Sequence, residues 1–180
     1  MSEINQQVTN MSLNASALKD KIKSATDNLD DPKKALDAFW DAVKEYVEGN
    51  AEPTYSWSAV APTVPPTTDP TVQWVGKVKP SGKLELSKAD VPESACAMLS
   101  GSMNTQIATW IIQPPSGFAV SPLLMIPAIN ISVSGATDRD SALLSLATDI
   151  ITGIQGAHAT PAVSGSHGSY VGGGSLIGVL

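Results

Sequence analysis

The chain contains one cysteine, Cys96, in 180 residues. A lone thiol excludes an intramolecular disulfide framework and a Cys-based zinc site. Basic residues are also scarce: eleven Lys and Arg face seventeen Asp and Glu, giving a net charge of −6 and a pI near 4.7. This balance argues against non-specific binding to DNA, RNA or anionic lipid, which requires clustered Lys and Arg. Long hydrophobic runs are missing. The most apolar stretch, 107–131, is interrupted by Pro114, Pro115, Pro122 and Pro127. A membrane helix wants about 18 or more apolar residues in a row, so no span is expected. Residues Met1 to Asn10 carry Glu3, lack a basic cluster and are followed by no apolar stretch. They do not have the layout of a secretory signal, and the expectation is a soluble chain made in the cytoplasm.

Charge is short overall, at 16 % of residues, against roughly 25 % in an average globular chain. The shortage is uneven. Residues 1–90 hold ten Lys/Arg and thirteen Asp/Glu, whereas residues 91–180 hold only Arg139, Glu93, Asp138, Asp140 and Asp149. Ser, Thr, Gly, Ala and aliphatic residues take the place of charge. A monomer normally clothes its surface with charge, and disorder goes with high charge and low hydrophobicity. The second half is poor in charge yet strongly apolar over 106–131. The pattern predicts a surface that other chains cover.

The elements read as α+β. A first helix is expected from Asn10 or Asn14 to Asn28, with Leu13, Leu18, Ile22, Ala25 and Leu29 as its stripe. A second begins at Asp31, with Pro32 in the first turn. It buries Leu36, Phe39, Trp40, Val43 and Val47, and a left-handed stop at Gly49 or Asn50 should end it. The two form an αα-hairpin over 1–50. Residues 51–71 hold Pro53, Pro62, Pro65, Pro66 and Pro70 and read as an extended arm or linker, with a short edge strand at Tyr55 and Trp57. An α+β body over 72–156 should open with a β-hairpin, Val72 to Leu86, turning at Lys79-Pro80-Ser81-Gly82-Lys83. A third helix is expected from Asp90 to Ile112, closed by Pro114-Pro115. Its apolar face would include Ala95, Met98, Leu99, Met103, Ile107, Trp110 and Ile111, and Gly101 could mark a close contact or a break. Ile129, Ile131 and Val133 alternate as a half-buried strand. A fourth helix should start at Thr137, with Asp140 as its capping partner, and end at Gly153 or Gly156. The two longer helices would pack on the sheet. Residues 157–180 form a Gly/Ser-rich tail able to add to a sheet edge, on this chain or a neighbour.

No constellation points to catalysis. His158 and His167 are the only imidazoles. The adjacency Ser166-His167 lacks the orienting acid a triad needs, and no third ligand accompanies the two histidines for a metal. Gly172-Gly173-Gly174-Ser175 lacks the Lys and the helix of a phosphate loop. Cys96 has no basic neighbour and is expected to be buried. Asp138-Arg139-Asp140 most simply serves a helix start. Trp40, Trp57, Trp74 and Trp110 lie on four elements with no basic strip, which suits core or interface anchors better than a stacking platform. No catalytic residue, cofactor, metal or small-molecule substrate is expected.

The charged N-terminal helical pair, the Trp-containing Pro-rich segment from Tyr55-Ser56-Trp57 to Pro70, the low-charge body and the ending His167-Gly168-Ser169-Tyr170-Val171-Gly172-Gly173-Gly174 are together similar to minor structural proteins of tailed bacteriophages. These are the ring, neck or collar components of the head–tail junction and tail. The resemblance is one of style along the whole chain and carries over no residue roles. It implies a non-enzymatic virion protein assembling as a symmetric oligomer, with identical subunits and other virion proteins as partners and no nucleic acid. The subunit-interface candidates are Tyr55, Trp57, Trp74, His167, Tyr170, Val171, Leu176, Ile177 and Leu180. The rival is a binding module for receptor or host contact through exposed Tyr55, Trp57 and Trp74. A hydrolase using Ser166 or His167 is a third reading, and the lack of an acid partner weighs against it.

Overall fold

A computed structural model describes residues 13–60, 72–87, 92–113, 118–119, 128–132, 135–156, 163–167 and 170–179. The chain is α+β. Helix α1 (Ala15–Thr26) starts where the Asn14 side chain accepts the Ala17 N–H at 3.0 Å. Helix α2 (Pro32–Asn50) starts where Asp31 accepts from the backbone N–H groups of Lys33 and Lys34. Such caps satisfy donors that the first turn leaves unpaired. The hairpin between them turns at Asn28, with φ 66°. The left-handed residue therefore lies between the helices, not at Gly49 or Asn50. Helix α2 runs through both and stops at Ala51 in an extended conformation. The Tyr46 hydroxyl locks the pair by accepting the Asn14 N–H at 2.8 Å and donating to the Asn14 carbonyl at 3.0 Å.

Strand β1 (Pro53–Val60) follows, then β2 (Val72–Val75) and β3 (Lys77–Lys79). The expected hairpin from Val72 to Leu86 does not form. The chain changes sheet at Gly76: β2 pairs with β1, whereas β3 pairs with β4 (Ile111–Gln113). The Lys79–Lys83 segment is instead held by two indoles. Trp40 donates to the Gly82 carbonyl and Trp110 to the Ser81 carbonyl, both at 3.1 Å. The two rings stack at 5.6 Å between centroids, tilted by 34°.

Helix α3 (Pro92–Ile107) passes through Gly101 without a break. The expected cap Asp90 lies outside the described residues. The helix ends five residues before Ile112, because a turn puts Trp110 against Trp40 and sets Ile112 opposite Val78, both buried. Cys96 is half-buried rather than buried, and Ala95 and Ile111 are exposed. Strand β5 (Phe118–Ala119) precedes segment 128–132. There Ile129 and Ile131 are buried and Asn130 exposed, as the alternation implies, but no strand ladder forms. Val133 lies outside the described residues. Helix α4 (Arg139–Gln155) is capped by Asp138, one residue later than expected, in a capping box with Ser141.

Strands β6 (Val163–His167) and β7 (Tyr170–Val179) complete an antiparallel five-stranded sheet in the order β2-β1-β7-β6-β5. Strand β1 is thus an interior strand, not an edge strand within a free arm. Pro53 sits at its first position, where a missing N–H is tolerated. Residues 61–71, the rest of the expected arm, lie outside the described residues. Helix α1 lies against both α2 and α4, while α2 also touches β3 and α4 touches β7. One cluster of buried apolar residues runs from Leu13 through Trp40, Val78, Met103 and Trp110 to Ile154. Each aliphatic side chain withdrawn from water there contributes roughly 1.5–3 kcal/mol.

Candidate functional site

The five-stranded sheet is the feature with the most unusual chemistry. None of the residues in β1, β2, β5, β6 or β7 is Lys, Arg, Asp or Glu. The two-stranded β3–β4 sheet, in contrast, carries exposed Lys77 and Lys79. Isolated sheets usually guard their edges and outer faces with charge.

Register sorts the strands into two kinds of cross-strand row. Tyr55 stands opposite Trp74 on one side and Leu176 on the other. Two residues along β1, Trp57 stands between Val72 and Gly174, and Gly174 faces Val163. The next row of this parity joins Ala59, Gly172, Gly165 and Phe118. The intervening rows hold Gln73, Ser56 and Ser175, then Ser58, Gly173 and Ser164. Residues two apart on a strand share a face. One face therefore collects the aromatic positions with aliphatic and glycine positions, and the other collects most of the serines and Gln73 together with Thr54, Val60, Val75 and Val171.

Of the candidates named from sequence, Tyr55, Trp74 and Leu176 share one row, and Trp57 lies on the same face. Val171 pairs with Val60 in a row of the opposite parity. Ile177 has no partner: Leu176 faces Tyr55 and Gly178 faces Thr54, so Ile177 is the extra residue of a bulge. His167 and Tyr170 face each other where β6 meets β7. Leu180 and His158 lie outside the described residues. Gln73 and Val75, the polar and aliphatic residues that flank Trp74, carry no signal of their own in the sequence. What distinguishes them is their place on an outer strand, which is set by pairing with distant β1.

Four of the five charges of the second half have work within the fold. Asp138 caps α4. Asp140 receives the Lys23 ammonium at 2.7 and 2.9 Å. Arg139 binds Asp27 at 2.7 Å and Thr26 at 3.1 Å. Asp149 accepts the Ser132 N–H at 3.1 Å. The Asp138 carboxyl is held below the ordinary range, first by the Ser141 backbone N–H and then by its hydroxyl. Asp140 is lowered chiefly by its bond from Lys23.

A groove of about 690 Å³ lies between α3 and segment 128–132, lined by Glu93, Cys96, Ser100, Asn104 and Asn130 among others. Among the described residues no group of three or more His, Cys, Asp or Glu is placed to hold a metal ion, and no helix is long and apolar enough to cross a membrane. Comparison with known proteins found no matching family model, no matching curated protein and no matching solved structure.

Proposed function

We propose that this chain is a non-enzymatic structural subunit of a tailed-phage particle, at the head–tail junction or in the tail, and that it works as a symmetric oligomer. The observation that carries the reading is the charge-free five-stranded sheet within a chain of net charge −6. Asp138, Arg139, Asp140 and Asp149 support it by their place, because they sit at helix α4 and its contacts with α1 and segment 128–132, and none of them lies on the sheet. Its partners are identical subunits and other virion proteins. It needs no cofactor and makes no nucleic-acid contact. Burial of apolar surface, at roughly 25 cal/mol per Å², drives the association, although area does not translate directly into affinity.

The test is size-exclusion chromatography with light scattering on the full chain, followed across concentration. A discrete oligomer supports the proposal. A stable, folded monomer at the highest concentrations, also without partner proteins, overturns it. It would return the aromatic face to the rival reading, a monomeric module for receptor contact.

A further inference from the structure

Backbone phase identifies how two copies would meet. The Gly76 N–H donates to the Pro53 carbonyl at 2.9 Å, one step beyond the Thr54–Val75 pair. Opposed residues of an antiparallel ladder alternate between hydrogen-bonded and non-hydrogen-bonded pairs. Gly76–Pro53 is of the bonded kind, so Tyr55–Trp74 and Trp57–Val72 are too. The N–H and C=O groups of Gln73 and Val75 therefore point away from β1. Strand β2 is an outer strand of the described sheet, and Val75 is 48 % exposed. None of the residues of β2 is Lys, Glu or Pro, whereas Lys77 and Lys79 stand on neighbouring β3.

Resting on the assembly reading above, we propose that β2 pairs antiparallel with β2 of a second copy about a two-fold axis at Trp74. In this register Gln73 and Val75 of each copy exchange main-chain bonds with Val75 and Gln73 of the other. Four hydrogen bonds form, and two five-stranded sheets become one. A register centred on Gln73 keeps only the Gln73–Gln73 bonded pair within Val72–Val75, two main-chain bonds instead of four. One centred on Val75 would need Lys77, which pairs with Gln113. The occupant is a second copy because the edge complements itself. A chain of net charge −6 repels its like wherever charged surfaces meet, and β2 offers a contact with no such charge. A two-fold contact uses the same patch twice. It sets the two Trp74 residues directly opposite each other as a non-hydrogen-bonded pair, with Cα atoms about 4.5 Å apart. This extends the row Leu176–Tyr55–Trp74 across the axis.

That spacing lies within disulfide range, about 4.4–6.8 Å between Cα atoms. In the full chain carrying Cys96→Ser, Trp74→Cys is expected to give a disulfide-linked dimer under mild oxidation. Gln73→Cys, which faces Val75 of the other copy, is expected to give far less. In the unaltered chain, amide hydrogen exchange at Gln73 and Val75 is expected to slow as concentration rises, with Val72 and Trp74 protected throughout. Val75→Lys is expected to abolish this concentration dependence while leaving the circular dichroism unchanged. Exchange decides the matter even where the Trp74→Cys chain does not fold. If Gln73 and Val75 stay fast while light scattering reports an oligomer, this edge contact is wrong and the assembly reading stands. If they stay fast in a chain that is monomeric at every concentration, both fall.

Discussion

Asn104 of α3 pairs with Ile129 as a neighbouring strand would. Its side-chain oxygen accepts the Ile129 N–H at 2.9 Å, and its side-chain nitrogen donates to the Ile129 carbonyl at 3.1 Å. Ser100 takes the Ile131 N–H, Asp149 the Ser132 N–H, and Ser145 donates to the Ser132 carbonyl. Segment 128–132 thus lies between α3 and α4, with main-chain groups of Ile129, Ile131 and Ser132 bound by helix side chains. Replacing Asn104 by Ala leaves both Ile129 groups without this partner. A stranded buried polar group costs about 1–3 kcal/mol. Asn104→Ala is therefore expected to lower the denaturant midpoint by a cost in that range. Asn104→Asp, which keeps the acceptor but opposes the carbonyl with a carboxylate, is expected to restore little of it.

The same Ile129 explains a glycine in the last turn of α4. A Cβ added at Gly153 would overlap the Ile129 Cγ1 atom. Ala is worth about 1 kcal/mol over Gly in a helix interior, but forcing an extra carbon into a packed core costs about 1–3 kcal/mol. Gly153→Ala is expected to destabilise by equilibrium unfolding, and to do so less in an Ile129→Ala background. Gly101→Ala is the control. Nothing lies within 4 Å of the added carbon there, and the site is exposed. That substitution should raise stability by up to about 1 kcal/mol.

These contacts mark where sequence reading reaches and where it stops. Asn14 and Asp31 were legible as caps because a cap is a local bond between a side chain and an N–H two or three residues on. The alternation at Ile129 and Ile131 was legible as burial but not as its partner, since nothing local says that Asn104 and Ser100 replace a strand. The Val72–Leu86 hairpin failed because period-two alternation continues across Gly76, where the chain leaves one sheet for another. Helix α3 ends short of its expected span for a related reason: Trp110 and Ile111 fit its stripe, and only the contacts of Trp110 with distant Trp40 and of Ile112 with Val78 take the chain out of the helix. Tyr55, Trp74 and Leu176 each stood out as apolar residues in charge-poor surroundings. Their common row depends on pairing between strands more than a hundred residues apart, which no window of sequence contains.

Gly82 sits under the two tryptophans with φ +88°, and an added Cβ would collide with the Gln106 side chain. Both features oppose any side chain, because glycine alone adopts such a backbone without steric cost. Gly82→Ala is expected to destabilise by more than about 1 kcal/mol in equilibrium unfolding. Trp110→Phe keeps a ring against Trp40 but loses the bond to Ser81, a cost of about 1 kcal/mol. A wild-type unfolding midpoint in Trp110→Phe would show that the bond to Ser81 does not hold the loop.

Acid should act first at the junction of α1 and α4. Asp138 and Asp140 both have carboxyls lowered in the folded chain, the first by the Ser141 N–H and the second by Lys23. A lowered folded value means that ionisation favours the fold. The contribution is complete above the unfolded Asp value of about 3.9 and is lost as pH falls through the folded values. The melting temperature is therefore expected to drop on acidification below about pH 4. Asp140→Asn should lower it at neutral pH yet converge with the unaltered chain at the acid end, where Asp140 is protonated in both states. Because Lys23 and Asp140 are both solvent-accessible, the neutral-pH gap should also narrow as salt is added. A gap unchanged by either acid or salt would show that the Lys23–Asp140 pair does not stabilise the helix junction, leaving the Asp138 cap and the buried faces of α1 and α4 to hold it.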